Sequence, residues 1–149
     1  MEPPLGRRLA LAHRAVHDAV DARMREQGAS LWNWILLRQA AENEGASQRQ
    51  LADAMHIEPP TLVRHLDKLA EDGLVERRRD DADRRKAQVW LTPAGRKRLK
   101  ELHAISVEFD AELRSLLTER EVEVLGKSLM RIHELYTEKK LEERGAHQR

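Results

Sequence analysis

Ser47-Gln-Arg-Gln-Leu-Ala-Asp-Ala-Met-His-Ile-Glu-Pro-Pro-Thr-Leu-Val-Arg-His-Leu-Asp-Lys-Leu-Ala-Glu-Asp-Gly73 reads as two short helices around a tight turn. Ser47 can cap the first helix, Gln48 to about Met55, with Leu51, Ala52 and Met55 facing inward. His56 and Ile57 make the turn. Pro59 and Pro60 sit where a helix begins, because a first-turn residue has no use for its N–H. Thr61 to about Glu71 continues that helix, with Leu62, Leu66 and Leu69 on one face. Gly73 suits a left-handed stop. Two helices so joined, the second opening on prolines and polar residues, match a helix-turn-helix. The second helix of such a pair enters the DNA major groove by its N-terminal end.

The polar side of that helix carries Thr61, Arg64, His65 and Lys68. An arginine can hold guanine O6 and N7 with two parallel hydrogen bonds, which is the task expected of Arg64. Thr61 can bond a phosphate or touch a thymine methyl, and His65 and Lys68, further along, reach the DNA backbone. The helix start at Pro60 favours a phosphate through the helix dipole. Ser47, at the start of the first helix, is also placed among the DNA contacts. The same pattern would serve an ordinary amphipathic helix with a wet face, and the next segment decides between the two.

Leu74 to Arg79 reads as a strand, Asp80 to Arg85 as a polar turn, and Ala87 to Leu91 as the returning strand, with Val89 and Leu91 on one side. A hairpin tip needs small polar residues, which explains its aspartates. It does not need the six cations between Arg77 and Lys86. An arginine at such a tip can enter a narrow minor groove, where negative potential is concentrated. Arg84, Arg85 and Lys86 are therefore expected to contact DNA. Asp83 can pair with a nearby arginine and brace the wing. A surface pair contributes only ~0–1 kcal/mol, so its value lies in positioning.

The flanks are helical. Leu5, Leu9, Ala12, Val16, Val20 and Met24 recur at helical spacing before Gly28, and Ser30 caps a second helix through Trp34, Ile35, Leu37 and Ala41 to Gly45. Beyond the wing, Thr92 and Pro93 open a helix carrying Leu99, Leu102, Phe109, Leu113 and Leu116. Thr118 with Glu121 is a capping-box pattern. It opens a last helix with Val122, Leu125, Leu129, Ile132 and Tyr136, whose polar tail is expected to fray from Glu142. The fold class is mainly α with a small β-wing: a winged helix-turn-helix over residues 30–98, between dimerisation helices at 1–29 and 99–149. The helix-turn-helix supplies its own core, so the additional apolar stripes call for a partner. A two-fold homodimer would set its half-sites ~34 Å apart on a near-palindrome.

Composition narrows the alternatives. Residues 47–100 hold thirteen Lys or Arg against nine Asp or Glu, while the remainder is net acidic. A basic middle suits a polyanion such as double-stranded DNA. The chain has no cysteine, which excludes disulfides, thiolate chemistry and cysteine-based zinc sites. No apolar run approaches the ~20 residues of a membrane span, and no signal peptide is seen at Met1–Gly6, so a cytoplasmic location follows by default. An enzyme is disfavoured because nucleophile-elbow, zinc-protease, P-loop and dinucleotide-binding patterns are all missing. A winged helix that binds protein would not need Arg64 or the cationic tip.

His13, Arg14, His17, Trp32, Trp34 and Arg38 concentrate near the junction of the first two helices. An apolar slot with a cation or two would suit a small aromatic carboxylate. His13 and His17, four apart, share a helix face. No cysteine or carboxylate set completes a tetrahedral site, so no metal and no cofactor is expected.

The run Leu51 to Arg77, with Asp83-Arg-Arg and Val89-Trp-Leu-Thr-Pro-Ala-Gly, resembles the MarR family. Ile57-Glu58, Pro60, Leu62-Val63-Arg64 and Leu66-Asp67, with Pro4-Leu5-Gly6 and Leu9-Ala10, look closest to its SlyA branch. The resemblance implies a homodimer with interlocked first and last helices. It also implies recognition helices in successive major grooves of a pseudo-palindrome, Arg85 in the minor groove, and Asp83 bracing the wing. Arg64 matches the recognition-helix arginine of the branch. For the branch, small aromatic acids such as salicylate bind between the dimerisation and DNA-reading parts; Arg14 and Trp34 match those positions, with Arg64 nearby. Two places depart from the pattern: His65, where a small polar residue is common, and Ala29-Ser-Leu-Trp-Asn33.

Overall fold

The computed structural model describes residues 2–79 and 87–146, with side chains through 137. In chain order the elements are α1 (Leu5–Glu26), α2 (Leu31–Glu42), α3 (Gln48–Met55), α4 (Pro59–Glu71), β1 (Val75–Arg79), β2 (Ala87–Leu91), α5 (Pro93–Ser115) and α6 (Glu119–Ala146). Two compact units divide the chain, residues 1–107 and 108–149. No helix among the described residues is long and apolar enough to cross a membrane.

The starts of the helices are local chemistry. The Ser30 hydroxyl accepts the Asn33 N–H at 3.2 Å, while the Asn33 carbonyl oxygen accepts the Ser30 N–H at 2.8 Å. Ser47 and Gln50 repeat this exchange at α3, again at 3.2 and 2.8 Å. Each box satisfies two donors that the first helical turn leaves orphaned. At the end of α3, His56 takes a left-handed conformation with φ 53°, and the Ile57 N–H returns to the Ala52 carbonyl at 3.1 Å. Proline then occupies the first two positions of α4.

The core of the first unit is closed by Met24, Leu36, Leu37, Leu51, Leu62, Leu66, Leu69, Val89 and Leu102, all fully buried. At roughly 1.5–3 kcal/mol for each large side chain, this burial holds the three helices α2–α4 around one centre. The strands pair antiparallel from Val75↔Leu91 to Arg79↔Ala87. The segment before α3 joins them at the edge: the Gly45 N–H donates to Val89 O at 3.1 Å, the Val89 N–H donates to Ala46 O at 2.9 Å, and Ser47 bridges to Gln88. The wing is thereby fastened to the start of α3.

Two further joints set the frame. The Thr92 hydroxyl donates to Gly73 O at 2.7 Å and accepts the Gly95 N–H at 3.0 Å, so the start of α5 sits directly on the α4–β1 corner. A Cβ on Gly95 would lie 1.9 Å from Leu74 O, which leaves room for glycine alone. At the other side, the Asp21 carboxylate accepts the Leu31 N–H at 2.8 Å and pairs with Arg25, tying α1 to the first turn of α2. These bonds, the backbone one foremost, hold its pKa below the ordinary 3.8.

In the second unit the Thr118 capping box forms, with the Glu121 carboxylate accepting the Thr118 N–H at 2.8 Å. The Thr118 N–H, followed by its hydroxyl, lowers the Glu121 pKa. Three boundaries differ from expectation. β1 starts at Val75 rather than Leu74, because the Leu74 N–H is taken by Leu69 O in the turn that closes α4. Leu116 lies past the end of α5 and stands exposed. The last helix continues through Glu142 to Ala146.

Candidate nucleic-acid interface

Arg64 is exposed on α4 and makes no hydrogen bond or ion pair with any described residue. Its guanidinium, with five donors on a planar fork, is free to meet an external acceptor. Pro60 is exposed at the start of the same helix and Thr61 half-buried one residue on. The Ser47 hydroxyl accepts from Gln50 as a cap, which leaves its own O–H to donate outward. Lys68 is exposed and lies 3.7 Å from Asp72 one turn away, a loose pair of ~0–1 kcal/mol at most.

His65 meets a ring of another helix. Its ring is half-buried and stacks on Trp32 of α2, with centroids 5.5 Å apart and planes inclined by 15°. One face of the imidazole is thus covered by α2. His65 and the stretch 29–33, singled out separately in the sequence, thus touch through Trp32.

The wing brace Asp83 and the tip cations Arg84, Arg85 and Lys86 lie outside the described residues. On β1 the strand alternation sorts the three arginines. Arg77 shares a face with Val75 and stands opposite fully buried Val89. It donates to Gln48 Oε1 at 2.9 Å and to Asp67 Oδ1 at 2.6 Å. Arg78, on the other face, pairs with Glu76 and lies 4.9 Å from the Trp90 ring centre. Arg79 is exposed without a described partner. Two of these three charges are therefore used within the fold. Arg49, exposed in the first turn of α3 and without a partner among the described residues, is a cation that sequence reasoning missed; its place beside capping Ser47 was the available signal.

The residues expected to line an effector pocket fall into separate contacts. His13 and His17 face each other at 5.9 Å, and His17 Nδ1 is 3.5 Å from Asp18. Trp34 is stacked on His103 at 6.4 Å, with the Arg38 guanidinium 5.7 Å from its ring centre. The Trp34 Nε1–H is buried without a partner among the described residues. Arg38 is also paired with Glu42 at 2.8 Å. No ring contact, hydrogen bond or ion pair joins His13, Arg14, His17 or Arg64 to Trp34 or Arg38 among the described residues. No described cluster of three or more His, Asp or Glu could hold a metal ion.

Residues 31–87, from the start of α2 to the first residue of β2, match the model of the MarR family. Among solved structures, the chain is similar to a probable transcriptional regulator from Pseudomonas aeruginosa at 28% identity and TM-score 0.77, over 87% of this chain and 96% of that one. It shares its fold with MepR of S. aureus, solved as a MepR–DNA complex, at 22% identity and TM-score 0.80 over 89% and 98% of the two chains. It also shares its fold with the transcriptional regulator SlyA, at 19% identity and TM-score 0.80 over 92% and 96%.

Proposed function

We propose that this MarR-family chain works as a homodimeric, sequence-specific DNA-binding regulator that represses from a pseudo-palindromic operator in the cytoplasm. Proteins of the family are transcription regulators that bind DNA, not enzymes. The observation that carries the reading is Arg64, exposed and without a partner among the described residues, on a proline-started helix whose neighbour α3 is fastened to the wing. Arg64 reads a base edge, and Pro60, Thr61 and Ser47 with Arg49 and Lys68 hold phosphates. Arg84, Arg85 and Lys86 extend this to the minor groove, with Asp83 bracing them.

Dimerisation through residues 1–29 and 99–149 is supported by apolar side chains left in water, among them Leu5 and Leu11 on α1 and Leu125, Leu129 and Met130 on α6. A dimer lying across a promoter represses by occupancy. The motif around Ile57 to Asp67 supports a likeness to the SlyA-like branch. Release by a small aromatic carboxylate such as salicylate is supported by the buried, unpartnered Trp34 N–H and the cation of Arg38 beside it. His13, Arg14, His17 and Arg64 complete the set of candidate ligand contacts. Such a ligand acts by favouring dimers whose recognition helices are wrongly spaced.

Selection from random duplexes, followed by titration at several salt concentrations with and without millimolar salicylate, tests this. The expected result is an operator affinity that falls steeply with salt. Arg64→Ala should cost ~1–3 kcal/mol of that affinity. A protein that ignores every duplex in dilute buffer would overturn the reading, and unchanged binding with salicylate would remove the effector.

A further inference from the structure

We propose that Arg77 is a positioning residue that fixes the angle between the wing and the recognition helix, and not a phosphate contact. The proposal rests on the DNA-binding reading above. Arg77 is the place where three elements meet: it leaves β1, donates to Gln48 at the start of α3, and donates to Asp67 in the middle of α4. Asp67 follows Arg64 by three residues, so it is the neighbour of the base-reading side chain on the helix surface. The clamp thus holds the wing against the same turn of α4 that carries Arg64.

The ribbon needs such a clamp. A two-stranded hairpin of five-residue strands is marginal alone. Its backbone ties run from Gly45 and Ala46 to Val89, and from Thr92 to Leu74 at its root. These tether it to the segment before α3 and, through the Leu74 N–H on Leu69 O, to the last turn of α4, and among the described residues none reaches the middle of α4. Arg77 supplies that link, and its side chain is 30% exposed against 57% for Arg78. A planar guanidinium offers an amide and a carboxylate donors in a fixed fork, whereas an ammonium is a point charge on a flexible stem that fixes neither direction. With the angle fixed, wing and helix meet two grooves of one duplex without losing orientational freedom on binding.

The sign of one substitution separates positioning from phosphate contact. If Arg77 touched phosphate and Asp67 were merely a nearby negative charge, Asp67→Asn would leave DNA binding equal or tighter. If Arg77 positions the wing, Asp67→Asn weakens operator binding although it removes a charge that repels DNA. The experiment compares the full-length parent with Asp67→Asn, Arg77→Lys, Arg77→Gln and the Asp67→Asn/Arg77→Gln double variant. Each is titrated with the selected operator and with a scrambled duplex of equal length. Expected is a loss of about tenfold on the operator for each single variant, Arg77→Lys included, and a double variant no weaker than the worse single. Scrambled-duplex affinity should stay within about twofold for Asp67→Asn and Arg77→Lys, whose charge changes do not remove a cation. Operator binding by Asp67→Asn at or above the parent level, or additive losses, would overturn the proposal.

A second measurement needs no DNA. Amide exchange in 75–79 and 87–91 should quicken in Asp67→Asn and Arg77→Lys while α2 stays protected. Unchanged exchange in both strands would overturn the proposal even if no duplex binds. Quickened exchange in a protein that binds no DNA would support the clamp while sinking the regulator reading it serves.

Discussion

Helix α4 and the last helix α6 carry leucines at the same three- and four-residue spacing, yet the structure treats them differently. Leu62, Leu66 and Leu69 of α4 are 0% exposed, whereas Leu125 and Leu129 of α6 are 45% and 43% exposed. Periodicity therefore says that a helix has an apolar face, but not whose surface covers it. In the first unit the covering surface comes from α2, α3 and the wing strands of the same chain. On α6 the stripe is still open in a single chain, which is why a second copy is the proposed cover.

The largest expected effect tests the closed side of this contrast. Leu66→Ala should destabilise the fold by ~2–5 kcal/mol, since it opens a cavity in a sealed core. Chemical denaturation would show it, and the loss should not depend on protein concentration. A loss under 1 kcal/mol would mean that the helix-turn-helix is not the self-contained core inferred here.

The open side predicts a concentration effect instead. Leu125→Glu with Leu129→Glu should weaken self-association by roughly thirtyfold or more, the scale of losing interface anchors. Sedimentation should show half the parent mass, with the helical content of the first unit retained. A variant that still sediments like the parent would show that α6 is not at the interface.

The smallest effect concerns the joint between α1 and α2. Asp21→Asn removes an ionised acceptor and should cost about 1 kcal/mol near neutral pH. Because the folded state lowers the Asp21 pKa below 3.8, its contribution is fully present above that value and is lost as pH falls through the lower folded pKa. Melting temperature followed from pH 6 downward should therefore fall less steeply for Asp21→Asn than for the parent. Parallel curves would remove Asp21 as the source of that acid sensitivity.

Much of the fold could be read from local chemistry. Ser30 and Ser47 cap helices because a serine oxygen meets its own first turn. Pro59 and Pro60 start α4, and Gly28 and Gly73 close helices at φ 70°. The exposure of Arg64 was legible for a related reason: the outer face of a short helix follows from where its leucines lie. The alternation of β1 even contained a signal for Arg77, which shares the face of buried Val75, but the density of charge around it suggested a cationic tip. His65 gave no such signal, since nothing in the run Leu62 to Leu66 shows that Trp32 will lie against it.

What the amino-acid order determined by itself is the set of helices, their capped starts, and which polar residues are candidates to face DNA, because caps, turns and periodicities act within a few residues. What tertiary structure decided is which charges and rings are already taken. Arg77 belongs to Asp67 and Gln48, ten and twenty-nine residues away. His65 belongs to Trp32. Gly95 must lack a side chain because Leu74 O fills its space. Such contacts depend on the distance and angle at which whole elements pack, and those are fixed only when the buried leucines of α2, α3 and α4 close on one another.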